Sequence, residues 1–339
     1  MRKTNVCSVG MPARGIAGLK DVAARTGLSV SVVSRALNPH PDKNARVAEE
    51  TRKWVLNVAG EMGFRRNRSA EFMKRGGVAT IGVFLPASPN RLVADLVFGI
   101  AEVLEAEDFP MQISFDNFAE GFRRFLEHNM DLSHSGVISY PSLVDDPKVE
   151  AEVKDYCRGK GRMVLLNTAL RLDDVPVVAM DEELGGRMAA EQLLERGCGQ
   201  FCVVGKCMGR QKGFHSALAD AGRKGNEFNG DPDGLKRLAS FCRGGSEDRP
   251  VGVFAVTDIL ALRVMRALSG GDARVGTEVL LVGYDDLDLT GETTPSLTTI
   301  HQPFREEGRM AARKLINLIY GGKEDPVLIS PRLVARESA

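Results

Sequence analysis

Apolar positions along this chain recur first with a helical and then with a strand-like period. In residues 19–38, LKDVAARTGLSVSVVSRALN, Leu19, Val22 and Ala23 repeat at i, i+3 and i+4, the stripe of an amphipathic helix. Gly27 supplies the left-handed residue that stops it, and Ser29 is placed to cap the next helix through its hydroxyl. That second helix, Val30 to Leu37, turns Val33, Ala36 and Leu37 inward and leaves Val30, Ser31, Ser34 and Arg35 outside. Small polar groups with one Arg suit a major groove, where Arg donates twice to a guanine edge. After a polar loop, Pro39 to Ala45, a third helix is predicted from Arg46 to Gly63. Its buried face is read as Val47, Thr51, Trp54, Val55, Val58 and Met62, which puts the chain's single Trp in the core of a three-helix head.

From Ala79 the period changes. ATIGVFLP is a β-branched run of the kind buried on both faces of a sheet, and similar runs recur at 111–115, 136–140, 163–167, 175–180, 201–205, 251–256 and 278–284. Helical segments such as Leu92 to Ala106, Leu184 to Arg196 and Ile259 to Leu268 alternate with them. The alternation predicts right-handed crossovers and an α/β core of two doubly wound parallel sheets. Ligands of such sheets bind beyond the carboxyl ends of the strands. That directs attention to Pro86, Asn167, Asp181, Thr257, Asp258, Asp285 and Asp286.

Charge divides the chain where the period changes. The whole is neutral, with 45 Lys and Arg against 45 Asp and Glu. Residues 1–78 carry 15 basic against 6 acidic residues, a net +9, which leaves −9 on the remainder. A basic head on an acidic body is the footprint of phosphate binding confined to the head. The 339 residues exceed one usual domain, and no apolar run has the length of a membrane span or a signal peptide. The chain is therefore expected in the cytoplasm, with residues 1–17 a loose arm and its six cysteines reduced. Cys198, Cys202 and Cys207 lack the short spacing of zinc ligands and read as structural thiols, so neither metal nor cofactor is expected.

These segments together resemble the LacI/GalR family of transcriptional regulators over residues 19–338. The head pattern is carried by LKDVA (19–23), GLSVSVVSRALN (27–38) and EETRKWVLNVAGEMGF (49–64), followed by Arg65 and Asn67. The core pattern is carried by ATIGVFLP, DEELGGRMAAEQLLERG (181–197), Arg210-x-x-Gly-Phe, GYDD (283–286), TPSLTTIHQP (294–303) and LVARES (333–338).

The resemblance implies a helix-turn-helix head, a hinge helix and a core of periplasmic-binding-protein type. It implies a homodimer on near-palindromic double-stranded operator DNA, released or tightened by a small effector, with a carbohydrate or related metabolite expected. It divides the chain into the arm 1–17, the head 18–66, the hinge 67–77 and the core 78–339. The core's first subdomain is expected at 78–180 and 301–320, and its second at 181–300 and 321–339. Val30 and Ser31 match base-reading positions, Arg35 lies near bases and backbone, and Ser29, Ser34 and Asn38 match phosphate-contacting positions. Asn67, Ala70 and Met73 match the hinge pattern N-x-x-A-x-x-L, with Met73 in place of the leucine that wedges into the minor groove. Arg66 replaces a usual proline. Asn167, Arg210, Thr257, Asp258, Asp285 and Gln302 match the effector-contacting set. Asn167 stands for a common aspartate and Thr257 for a usual asparagine. Leu92 and Val93 replace aromatics, which argues against a plain hexose. Segments 114–135 and 222–250 are shorter than the family's usual length.

Two other classes share such a core. An enzyme is disfavoured because no GxGxxG, GxxxxGK[ST], HExxH or GxSxG occurs, and adjacent Asp285 and Asp286 should point apart. A transport solute-binding protein is disfavoured by the basic head. No apolar heptad tail follows LVARES, so dimers and not tetramers are expected.

Overall fold

The computed structural model describes residues 17–37, 47–64, 78–87, 91–131, 134–141, 148–159, 161–168, 172, 175–270 and 273–339. Residue contacts divide the chain into two units, Met1–Gly76 and Gly77–Ala339.

In the first unit, α1 (Leu19–Thr26), α2 (Val30–Ala36) and α3 (Glu49–Glu61) pack around Val22, Ala23, Val33, Ala36, Val55, Val58 and Ala59. Gly27 takes φ 69° and ends α1, as its position in the sequence requires. Ser29 caps α2 by accepting from the Val32 amide at 3.4 Å. The expected Trp54 in the core is corrected: its side chain is 46% exposed. Ala59, absent from the predicted stripe, is buried. At roughly 100° per residue it turns the centre of the stripe away from position 54. Ala23, Ala36 and Ala59 also bring the three helices close, which leaves no room for an indole.

The second unit contains two parallel sheets. The first has six strands in the order β11-β5-β4-β3-β1-β2, and the second has four, β7-β6-β8-β9. In the first, β1 (Val78–Leu85), β2 (Met111–Phe115), β3 (His134–Ser139), β4 (Met163–Leu166) and β5 (Val177–Met180) alternate with α4 (Arg91–Ala106), α5 (Ala119–Asp131) and α6 (Val149–Arg158). In the second, β6 (Gln200–Val204), β7 (Gly225–Phe228), β8 (Val251–Ala255) and β9 (Val279–Val282) alternate with α7 (Glu182–Glu195), α8 (Met208–Asp220), α9 (Pro232–Cys242) and α10 (Asp258–Leu268). Strands β4, β5, β8 and β9 are buried at every residue, as their unbroken apolar sequences demand.

After β9 the chain forms β10 (Thr299–His301), α11 (Phe304–Ile319), β11 (Val327–Ile329) and β12 (Arg332–Val334). Residues 321–339, expected wholly in the second subdomain, are divided. β11 pairs with β5 through Val327 and Val178 and extends the first sheet, whereas β12 pairs antiparallel with β10. Without β11, β5 would present an unpaired edge. α11 packs on α4 with a close crossing, because a Cβ on Gly99 would strike the Arg305 carbonyl and one on Gly308 the Leu96 carbonyl. Glycines do the same between α7 and α8, where a Cβ on Gly186 would strike the Arg210 carbonyl and one on Gly213 the Glu183 carbonyl. The cysteines at 157, 198, 202, 207 and 242 are free thiols, and burial pushes Cys198 up to about 12.

Candidate functional site

On the head, the outer face of α2 is held by short-range hydrogen bonds. The Ser29 and Ser31 hydroxyls are 3.0 Å apart, and Arg35 Nε donates to the Ser31 carbonyl at 3.1 Å. Val30, Ser31 and Arg35 are exposed, Ser34 is half-buried, and Val33 and Ala36 anchor the opposite face. The helix thus presents a cation beside two hydroxyls on a rigid, apolar-backed support.

In the core, groups converge on Arg210, 8% exposed at the start of α8. The touching backbones of α7 and α8 set Arg210 against Glu182, the first residue of α7. Arg210 Nη2 donates to Glu182 Oε1 at 3.0 Å and Nε to Oε2, a two-pronged pair. Nη1 donates to the Val256 carbonyl and lies 3.6 Å from Asp285 Oδ1. The guanidinium carbon stands 3.6 Å over the Tyr284 ring, a cation–π contact. Gln302 Nε2 donates to Asp285 Oδ1 at 2.7 Å. Burial pushes the Asp285 carboxyl up to about 7. The Asp258 and Glu182 charges add to the rise, against the opposing pull of Arg210 and Gln302.

The backbone is strained here too. Asn167 has φ 44°, Asp285 φ 121° and Asp286 φ 54°, values that non-glycine residues rarely adopt. Asp285 and Asp286 point apart, as adjacent residues should. Asp286 accepts from Arg336 at 2.7 Å and faces His301 Nδ1 at 2.9 Å. Although burial opposes it, Arg336 and His301 hold the Asp286 carboxyl below the usual range. Asp286 is thereby committed to bracing the strand end, while Asp285 keeps an oxygen for other work.

Asp258 is wholly buried and accepts from Thr299 Oγ1 at 2.6 Å and the Leu287 amide at 2.8 Å. Thr257 caps α10 by accepting from the Leu260 amide at 3.2 Å. Asn167, after β4, accepts from the Met180 amide at 2.9 Å and leaves its Nδ2 without a partner. Across the cleft, Arg91 of α4 bonds the Asp288 carboxylate at 2.7 Å and the Asp286 carbonyl at 2.8 Å. A separate cavity lined by Leu104, Phe109 and Met111 lies at the beginning of β2, the end opposite the expected ligand side.

Comparison with known proteins agrees with both halves. Residues 18–67 match bacterial regulatory proteins of the lacI family, and residues 190–339 match the periplasmic binding protein-like domain. The HTH-type transcriptional repressor PurR of Photobacterium profundum is 26% identical, covering 95% of this chain and 98% of that protein. The ribose operon repressor of Escherichia coli is 28% identical, covering 96% of this chain and all of that protein (100%). The head belongs to the lacI family of bacterial regulatory proteins, and the core carries the periplasmic binding protein-like domain. The fold agrees with that of the lac repressor dimer bound to operator and the anti-inducer ONPF. Its TM-score is 0.64 at 22% identity, over 96% of this chain and 99% of that one. It also agrees with the CelR–cellobiose complex, at TM-score 0.66 and 22% identity over 95% of this chain and 99% of that one.

Asn38, Asn67, Ala70 and Met73 lie outside the described residues, as does Arg66. Arg210, Asp285 and Gln302 come together from three separate stretches. Sequence reasoning missed Glu182, although it singled out the neighbouring Asp181, which caps α7 by accepting from the Leu184 amide at 2.9 Å. It also missed Tyr284, whose ring supports Arg210 and whose buried hydroxyl has no partner. The pair of glycines at 185 and 186 beside two glutamates was the available signal, because close helix contact makes the neighbouring side chains meet. Among the described residues no helix is long and apolar enough to cross a membrane.

Proposed function

We propose that this chain is a transcriptional repressor whose operator affinity is set by a small effector held between the two sheets of the core. The observation that carries the reading is the Arg210–Asp285–Gln302 cluster at the strand ends of a core joined to a separately packed lacI-type head. The PurR, ribose-operon and lac relatives are repressors, and the lac repressor binds its operator as a dimer. The same arrangement is assigned here: arm 1–17, head 18–66, hinge 67–77 and core from 78 onward, working as a dimer on a near-palindromic site. Val30, Ser31 and Arg35 read bases, Ser29, Ser34 and Asn38 hold phosphates, and Asn67, Ala70 and Met73 form the hinge. Asn167, Arg210, Asp285 and Gln302 face the effector, while Thr257 and Asp258 brace the strand ends behind it. The role is one of binding, not catalysis: Asp286 is tied into the Arg336–His301 brace, and Asp285 is held by Gln302 beside Arg210.

Coupling follows from linkage. An effector shifts the operator equilibrium only through its different affinity for two core arrangements, and operator must shift effector affinity by the same factor. The test selects bound duplexes from a random DNA library and measures affinity for the enriched site against salt. A near-palindromic consensus, with log affinity falling steeply with log salt, is expected. Equal affinity for enriched and random duplexes overturns the reading.

A further inference from the structure

Buried polar atoms without partners gather on the cleft side of this core. Among the described residues they include Ser139 Oγ at the end of β3, Asn167 Nδ2 after β4, the Tyr284 hydroxyl, and both carboxylate oxygens of Glu307. Buried polar groups are normally satisfied, so such a concentration calls for an explanation. Glu307 is the most demanding of them. It sits in the first turn of α11 with none of its surface exposed, five residues after Gln302, which bonds Asp285. The groups that face it are Asn167 from the end of β4 and the Glu182 charge from the start of α7. The Asn167 amide is close enough to favour the ionised carboxyl, yet it closes no hydrogen bond. Glu182 is already committed to Arg210. Glu307 thus stands beside Asn167 and within reach of the Glu182 charge, and brings a buried carboxyl whose oxygens close no hydrogen bond.

The chemistry around it points to a ligand of definite class. Glu182 and Asp285 close on Arg210, and the Glu182 charge also reaches Glu307, so this corner holds three carboxyls against one guanidinium. No group of three or more metal-ligating side chains occurs among the described residues, which turns attention from a metal ion to an organic cation. An ammonium has three donors and no acceptor, and it complements a carboxylate pair without competing for it. Hydroxyls on the same molecule suit Asp285 and Gln302, which offer an acceptor and a donor. We infer that the effector is a small polyol bearing a protonated amine, with Glu307 as the amine's counter-ion and the determinant of its selection over the hydroxyl analogue. This deepens the effector reading given above and rests on it. Burial drives the unpartnered Glu307 carboxyl up to about 8, so at neutral pH it holds a proton that passes to solvent when an ammonium arrives.

The experiment uses the full chain and matched pairs of probes: D-glucosamine with D-glucose, D-galactosamine with D-galactose, and D-mannosamine with D-mannose. Binding is measured by calorimetry and thermal unfolding, and operator binding by anisotropy on the same samples. At least one amine is expected to bind tenfold or more tighter than its parent. Glu307→Leu, similar in volume and suited to an apolar site, is expected to bring that amine down to the level of its parent. Glu307→Gln should fall between, and circular dichroism checks that each variant is folded. The inference is overturned if no amine binds tighter than its parent, or if the advantage survives in Glu307→Leu. If parent and amine bind equally and both shift operator affinity, the effector cleft stands and the amine does not. If Asp285→Asn leaves that binding untouched, the cleft reading itself fails.

Discussion

The outer face of α2 and the Arg210 corner of the core are built on opposite plans. The α2 face uses Ser29, Ser31 and Arg35, joined by bonds spanning two to four residues. Its groups are exposed and bind one another weakly, so DNA can take them at little cost. The Arg210 corner draws on positions 182, 210, 256, 284, 285 and 302, and its guanidinium is buried and almost fully engaged. An effector there must compete with partners already in place. The lesson is that a reading surface can be assembled locally, whereas a binding cleft that changes state must be assembled from parts of the fold able to move apart. The strained Asn167 and Asp285 backbones lie just beyond the ends of β4 and β9.

The largest test of this contrast removes the centre of the corner. Arg210→Leu leaves Glu182 and the Val256 carbonyl without their donor and should cost on the order of 3 kcal/mol of core stability. Adding Glu182→Leu should recover much of that loss in denaturant unfolding, because the uncompensated charge goes with it. A single-variant loss below about 0.5 kcal/mol, the scale of an ordinary surface change, would mean that the corner is not tightly assembled. On the head, Arg35→Ala should leave core unfolding unchanged and cost about 1–3 kcal/mol of operator affinity, roughly 5- to 150-fold. Equal losses on operator and random DNA would reduce Arg35 to a phosphate contact.

A third test uses pH. The folded Asp285 carboxyl holds its proton up to about pH 7, whereas the unfolded chain loses it near its ordinary value of about 4. Between those values the native state binds more protons than the unfolded state, so stability falls as pH rises through the window. Asp285→Asn should remove that fall, a change on the order of 2–3 kcal/mol between about pH 5 and pH 7.5 by thermal unfolding. The part due to Glu307, which titrates at about 8, should remain. The smallest effect belongs to the local plan: Ser29→Ala removes the α2 cap and should cost about 1 kcal/mol in head stability, followed by the helix signal in the head's own melting step.

How much of this was legible in the chain follows the same division. Gly27, Ser29, Val33 and Ala36 announced the turn, the cap and the buried face of α2, because helix ends and stripes depend on neighbours within four residues. The strands MVLL, VVAM, VGVFA and VLLV were legible because a strand buried on both faces must be apolar throughout. The short strands β7, β10, β11 and β12 carry no such run and went unseen. Trp54 was misplaced because the stripe of α3 is centred by contacts with Ala23 and Ala36 on other helices. Resemblance brought Arg210, Asp285 and Gln302 to attention, but not their partners Glu182 and Tyr284.

The sequence by itself determined the two periods, the basic head, the helix boundaries around Gly27 and Ser29, and the parallel α/β core, since each depends on short-range sterics or on apolar runs. Only the tertiary structure decided which carboxylates face Arg210, that Asp258 and Asp286 are braces while Asp285 is not, and that Glu307 is buried beside Asn167. Those outcomes turn on contacts between residues far apart in the chain, set where α7 meets α8 and α4 meets α11 at glycines. Packing geometry places the charges there, and the glycine pair at 185 and 186 is its trace along the chain.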